Sequence, residues 1–269
     1  LQEIYYAKSG HPGGSLSIAE ILTVLYFNEM HIDENKPYDE NRDRFVLSKG
    51  HASAALYATL AERGYFPKEE LITFRNISSY LQGHPDMKHT PGVDMSTGSL
   101  GQGLSAACGM AINSKIDEKG YRVYCLLGDG ELEEGQVWEA AMTASKYKLD
   151  NLVAIVDCNN LQLTDTTKNV MDLNSEDISN KFKAFGFNTM IIDGHNVESI
   201  IDAFTKAKQI KDKPTAIIAK TIKGKGISFM ENKVEWHGKA PSDEEYKLAI
   251  DELIEKNKEI EKKAMEYAN

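Results

Sequence analysis

Val123-Tyr-Cys-Leu-Leu-Gly-Asp-Gly130 and Leu152-Val-Ala-Ile-Val-Asp-Cys-Asn-Asn160 decide the reading of this chain. Each opens with an apolar run, Val123 to Leu127 and Leu152 to Val156, of the length and composition of a buried strand. Between them Gln136 to Leu149 has helical composition and sets Val137, Ala140, Ala141, Ala144 and Tyr147 on one face. The result is a β-α-β unit in which Asp129 and Asn159 leave the carboxyl edge of neighbouring parallel strands, where open α/β sheets bind ligands. A carboxylate and a side-chain amide about one strand spacing apart offer hard oxygen ligands to Mg²⁺, which completes its octahedron with water and phosphate oxygens. The stretch therefore predicts a diphosphate held through a metal ion. Either turn alone is an ordinary strand-to-loop connection; their pairing at the ends of consecutive strands carries the prediction.

Outward from this unit the pattern continues. A first helix is predicted from Ser17 to about Met30, with Ile18, Ile21, Leu22, Leu25 and Tyr26 as its core face. Arg44 to Leu47 reads as a short strand and His51 to Arg63 as a helix closed by Gly64. A polar loop rich in Gly and Pro follows from about Asn76 to Gly98, then a helix from about Leu100 to Lys119. Strands near Thr189–Ile192 and Thr215–Ala219 flank a helix from Val197 to about Ile210, and a charged helix from Asp243 to about Tyr267 closes the chain. Alternating β and α elements predict an α/β fold: one doubly wound parallel sheet with helices on both faces, in a single domain over residues 1–269.

Forty-one acidic against 31 basic residues give a net charge of −10, which argues against a nucleic-acid partner. No window approaches the apolar length of a membrane span and no secretory signal is present, so no membrane role is expected and a cytoplasmic location is. The chain opens at Leu1 rather than Met, so a short N-terminal piece is expected upstream. Cys108, Cys125 and Cys158 are odd in number, lack metal-ligand spacing and lie in or beside apolar elements, so they read as reduced core thiols.

Five of the seven histidines, His11, His51, His84, His195 and His237, sit in loops beside Gly or Pro. Glycine lets backbone and imidazole approach a ligand closely, and imidazole can donate to phosphate, polarise a carbonyl or move a proton near neutral pH. Metal binding by these rings is not expected, because no pair has helical or hairpin ligand spacing. Lys8-Ser-Gly-His-Pro-Gly-Gly14, Asp43-Arg-Phe-Val-Leu-Ser-Lys-Gly-His51, Gly83-His-Pro85, Thr97-Gly-Ser-Leu-Gly-Gln-Gly103, Gly128-Asp-Gly-Glu-Leu-Glu-Glu-Gly135 and His237-Gly-Lys-Ala-Pro241 occur in this order. In that ordered set, and in Gly-Asp-Gly followed by an Asn turn, the chain resembles the thiamine diphosphate (ThDP) enzymes and, among them, the transketolase family over nearly its whole length. Thr97–Gly103 is not a dinucleotide fingerprint, which excludes a Rossmann dehydrogenase.

The resemblance implies roles residue by residue. Asp129, Asn159 and the carbonyl of Leu161 would hold Mg²⁺, with Ca²⁺ a possible substitute. His51, Gly130 and His237 would contact the diphosphate, and Gly98 and Leu100 would line the aminopyrimidine. His11, His84 and His237 would surround substrate hydroxyls and the oxyanion. Glu134 and Glu139, ordinary as acids at a helix start, would join a network toward a partner's catalytic glutamate. Trp138 between them reads as packing.

Complete transketolases resemble this chain followed by a pyrimidine-binding domain, which supplies the cofactor-activating glutamate and phosphate-gripping arginines, and a C-terminal domain. This chain stops at Asn269, and its arginines (Arg42, Arg44, Arg63, Arg75 and Arg122) form no phosphate clamp and read as surface charges. The resemblance therefore implies the N-terminal subunit of a split transketolase of the pentose phosphate pathway, partnered by a C-terminal subunit in an α₂β₂ heterotetramer and acting on sugar phosphates. Two alternatives stay open at this point. One is a non-catalytic ThDP/Mg²⁺ carrier. The other is a related enzyme such as 1-deoxyxylulose-5-phosphate synthase, although Ser48-Lys-Gly-His51 is the transketolase form of its motif.

Overall fold

A computed structural model describes residues 1–268; Asn269, the last residue of the expected domain, lies outside the described residues. Five strands form one sheet: β1 Arg44–Leu47, β2 Val123–Gly128, β3 Leu152–Cys158, β4 Asn188–Asp193 and β5 Thr215–Lys220. Their order is β1-β2-β3-β5-β4 and every neighbouring pair is parallel. Side chains alternate between two cores, as strand geometry requires. Tyr124, Leu126, Val153, Ile155 and Ile217 pack on one face against Ile21, Leu22, Leu60, Ile200 and Phe204. Val123, Cys125, Leu127, Ala154, Val156 and Ile218 pack on the other against Leu104, Ala107, Ala140, Ala144 and Phe182. Covering both faces is why β2 and β3 read as unbroken apolar runs. The doubly wound α/β expectation holds.

Local sequence explains the helices and their limits. The helix Gly135–Lys146 buries Val137, Ala140, Ala141 and Ala144 as predicted, but Tyr147 is 59 % exposed because the helix has already ended. The expected first helix is α-helical from Ala19 to Val24 and finishes in a π turn, Leu25–Glu29, with all five of its core residues buried. Gly64 closes Ser53–Arg63 in the left-handed region (φ 94°), as its position implied. The helices Gln2–Ala7, Pro12–Leu16 and Ser175–Ala184 were not predicted. Pro12-Gly-Gly has turn composition, although Pro suits the first helical position. Ser175–Ala184 is set by its cap: Asn174 Oδ1 accepts from the N–H groups of Glu176 and Asp177. All three cysteines are free and buried, in keeping with the core-thiol reading.

Candidate functional site at the carboxyl edge of the sheet

Because β1, β2, β3 and β5 run parallel, Ser48–His51, Asp129–Gly130, Asn159–Leu161 and Thr221–Lys223 all emerge at one edge. There they surround a cavity of about 410 Å³ lined by His11, His51, Gly98, Leu100, Asp129, Gly130, Glu134, Asn159, Leu161 and His237, together with Lys49 and Lys223. Every site residue expected from sequence except His84 lines it. The His84 ring borders the cavity through Gly98, where an added Cβ would stand 3.0 Å from the imidazole carbons. A groove of about 450 Å³ beside Ile4, Leu22, Phe27 and Ala58 is mainly apolar and gathers none of these residues.

Asp129 is 2 % exposed. Its Oδ1 accepts from Gly130 N (2.9 Å) and its Oδ2 from Asn160 N (2.5 Å), which fixes the carboxylate in the turn. Asn159 Nδ2 donates to Asp157 Oδ2 (2.9 Å), so the amide orientation is set and Oδ1 remains an acceptor, reached by Leu161 N at 3.1 Å. The Leu161 carbonyl accepts from Lys223 Nζ at 2.7 Å. One carboxylate, one amide oxygen and one peptide carbonyl make the oxygen donor set of a hard divalent cation. Burial, and the neighbouring Asp157 carboxylate, raise the Asp129 pKa, so a bound cation would relieve an unfavourable charge.

Asp157, at the end of β3, is the hub beneath this set. Its oxygens accept from Lys49 Nζ (2.5 Å), Ser17 Oγ (2.7 Å), Asn159 Nδ2 and Thr221 Oγ1, from four separate segments. Burial alone would raise its pKa, but the Lys49 ammonium and these donors hold it low. Lys49 also donates to the Gly14 carbonyl at 2.6 Å, tying the His11 loop to the sheet. Sequence reading missed Lys49, Lys223 and Asp157. The available signal was position: Lys49 lies two residues beyond β1 and Lys223 three beyond β5.

His11, His51 and His237 form a triangle with ring centroids 5.2–5.4 Å apart. Burial and then nearby cations keep these rings neutral. The pKa falls to about 4 in His11, beside Arg75, and to about 3 in His237, beside Lys223. That of His51 is pushed well below its ordinary value by burial and by Lys49. Lys223 Nζ and His237 Nδ1 are 2.8 Å apart. A neutral ring can donate from one nitrogen and accept at the other. His195 stands elsewhere, accepting from Ile222 N with Nε2 and facing Glu20 with Nδ1.

The Gly98 turn is held at the cavity by Glu131, whose buried carboxylate accepts from Gly101 N (2.9 Å), Gly128 N (3.0 Å) and Ser48 Oγ. Gly98 itself has φ 144°, and a Cβ on Gly50 would lie 2.8 Å from Gly98 N, so the two loops meet backbone to backbone. Glu134 and Glu139 are exposed, Glu134 at the cavity and Glu139 further along the helix. Trp138 packs on Phe182 and Phe185 and donates to Leu132 O, in line with its packing role. The arginines are not uniformly surface charges: Arg42 is buried and paired with Asp94 at 2.5 Å, and Arg75 is half-buried.

Fold and site together define a parallel α/β domain that gathers oxygen ligands and imidazoles around one cavity at its carboxyl edge. Residues 1–261 match the family model described as transketolase, thiamine diphosphate binding domain. The first of the two subunits of the apulose-4-phosphate transketolase of Phocaeicola vulgatus is 44 % identical over 259 residues, covering 96 % of this chain and 91 % of that one. The 6-deoxy-6-sulfo-D-fructose transketolase subunit SqwG of a Clostridium strain is 47 % identical over 253 residues, 94 % of this chain and 91 % of that one. Human transketolase is 52 % identical over 242 residues, but this chain spans only 38 % of its length. The crystal structure of Campylobacter jejuni transketolase superposes with a TM-score of 0.87 at 38 % identity, over 94 % of this chain and 40 % of that one. The chain belongs to the transketolase family, as its N-terminal, thiamine diphosphate-binding domain.

Proposed function

We propose that this chain is the diphosphate-binding subunit of a two-chain transketolase, transferring a two-carbon ketol unit from a ketose phosphate or a similar anionic ketose to an aldose. The reading rests on one observation: Asp129, Asn159 and the Leu161 carbonyl share a single cavity with the neutral rings of His11, His51 and His237. ThDP, when bound, supplies the thiazolium carbon that carries the two-carbon unit. The chain's residues do the rest. Asp129, Asn159 and Leu161 O hold Mg²⁺, or Ca²⁺ in its place. His51, Gly130 and His237 contact the diphosphate, whose charge Lys223 and Lys49 help to balance. Gly98 and Leu100 line the aminopyrimidine. His11, His84 and His237 orient the sugar hydroxyls and donate to the oxygen on which negative charge develops.

Residues 1–269 form one domain of this type in the proposal, and the pyrimidine-binding and C-terminal domains belong to a separate subunit in a cytoplasmic α₂β₂ assembly. The two subunit-length relatives support that division, because each is covered over 91 % of its length whereas the human enzyme is not. Leu100 and Leu163, 38 % and 66 % exposed at the cavity, suit a covering partner, and Glu134 is placed to join a network across it. The names of those relatives point to branched and sulfonated ketoses as donors to test beside ordinary ketose phosphates.

The test is ketol transfer with ThDP and Mg²⁺, using this chain alone and then mixed with a candidate C-terminal subunit. Activity confined to the mixture is expected. Full activity from this chain alone would refute the shared site, and inactivity of the mixture on every ketose–aldose pair would leave a carrier of ThDP and Mg²⁺.

A further inference from the structure

Arg75 has features that a surface charge does not need. Its backbone sits in the left-handed region (φ 63°), uncommon for a side chain with a Cβ, and is held there by Arg75 N donating to Leu81 O at 2.8 Å. Its Nη1 donates to Ser9 Oγ at 2.9 Å, two residues before His11. On the other side the guanidinium presses on Gly83, where a Cβ would lie 2.9 Å from Arg75 Cζ, one residue before His84. Phe74 backs it at 5.4 Å from ring centroid to Cζ. Among the described residues no carboxylate pairs with it, and its buried Nε has no acceptor. The His84 segment is anchored independently, through Ser53 Oγ to Gly83 O (2.9 Å) and Tyr57 OH to His84 O (3.1 Å). The guanidinium therefore bridges two loops that are otherwise fixed to different parts of the fold.

We propose that Arg75 is the positioning residue for the two substrate-side imidazoles, a cationic wedge that sets the spacing of the Ser9–His11 and Gly83–His84 loops. The identification of those rings as substrate-side rests on the proposed function; the wedge itself does not. A half-buried cation without a counter-ion also disfavours a second positive charge beside it. Titratable and charged groups facing His11 are Arg75, His84, Lys223, His51 and His237, and those facing His84 are Arg75, His11 and Tyr57. Of these, Arg75 alone is a permanent cation shared by both rings, and both have lowered pKa values. The wedge thus keeps the two rings apart and neutral together.

The experiment titrates the histidine rings by NMR in this chain alone, without cofactor or substrate, so that its result is independent of whether the chain serves a transketolase. In Arg75→Gln the His11 and His84 pKa values are expected to rise by about half to one pH unit while His237, which does not face Arg75, stays in place. Unchanged His11 and His84 would overturn the proposal, as would equal movement of all three rings, which marks general loosening. Should Arg75→Gln not fold, Ser9→Ala decides. Movement of His11 without His84 supports the wedge, whereas movement of both or of neither refutes it. In the mixture with the partner subunit, Arg75→Gln is further expected to raise KM for the ketose by about tenfold with kcat reduced less. A loss of kcat alone would refute a positioning role.

Discussion

Replacing Lys49 with Met removes one partner from the most buried ion pair of the fold. Lys49 Nζ and Asp157 Oδ2 are 2.5 Å apart, with side chains 2 % and 0 % exposed. At an effective dielectric of about 20 the gross attraction is about 6 kcal/mol. The cost of breaking a buried pair, about 3–5 kcal/mol, is set by the charge left behind. Asp157 keeps Ser17, Asn159 and Thr221 as donors, so the lower end applies, about 3 kcal/mol. For a chain of this size that corresponds to a melting point about 6 °C lower. Asp157→Asn should cost a similar amount, because it strands the ammonium. The double variant removes both charges and should cost about 4 kcal/mol rather than the sum of about 6, a coupling of about 2 kcal/mol. Urea denaturation followed by circular dichroism measures all three, with unchanged slopes confirming that midpoints report stability. Additivity within about 0.5 kcal/mol would refute the hub, as would a cost below about 1 kcal/mol for Lys49→Met.

Asp129→Ala is expected to abolish Mg²⁺-dependent ThDP binding, read by calorimetry, while the far-ultraviolet dichroism of the sheet survives; unchanged affinity would sink the cation assignment. Stability should fall in mild acid. His11 and His237 are pushed down to about 4 and about 3, chiefly by burial, whereas in the unfolded chain histidine titrates near 6.5. Between those values only the unfolded chain takes up the protons, so stability is complete above about pH 6.5 and declines as pH drops toward 4. Urea midpoints at three pH values across that window check this, and a flat profile would mean that the rings are not buried neutral.

What sequence could show here follows from the range over which each signal acts. Strand and helix periodicity is local, so β2, β3 and the helix between them were legible, as was the edge at which Asp129 and Asn159 emerge. Glycine-bounded histidines were legible as a set because their neighbours in sequence are also their neighbours in space. Lys49 and Lys223 were not. Lys49 acquires its role from Asp157, 108 residues away, and Lys223 from Leu161, 62 residues away. Lysine beside glycine otherwise looks like a solvated loop. Arg75 was misread for the same reason, since its contacts come from Ser9 and Gly83 on different loops. Glu131 lay one residue past the glycine turn, and only its three acceptor bonds distinguish it from an ordinary helix-start acid.

These long-range partners also explain why the histidines can work as a group. Four imidazoles in an acidic chain would ordinarily gain protons from neighbouring carboxylates, yet here the buried carboxylates are already engaged. Asp157 is matched by Lys49, Glu131 by three donors, and Asp129 by two backbone N–H groups facing a cation site. The charges that reach the rings are therefore those of Lys49, Lys223 and Arg75. Positive neighbours and burial act in the same direction, and each ring stays neutral. An imidazolium could only donate, whereas a neutral ring donates at one nitrogen and accepts at the other. A reaction that must first remove and then return a proton on sugar hydroxyls needs that second kind of ring. The lysines that sequence reading overlooked are thus what allow the histidines it found to exchange protons in both directions.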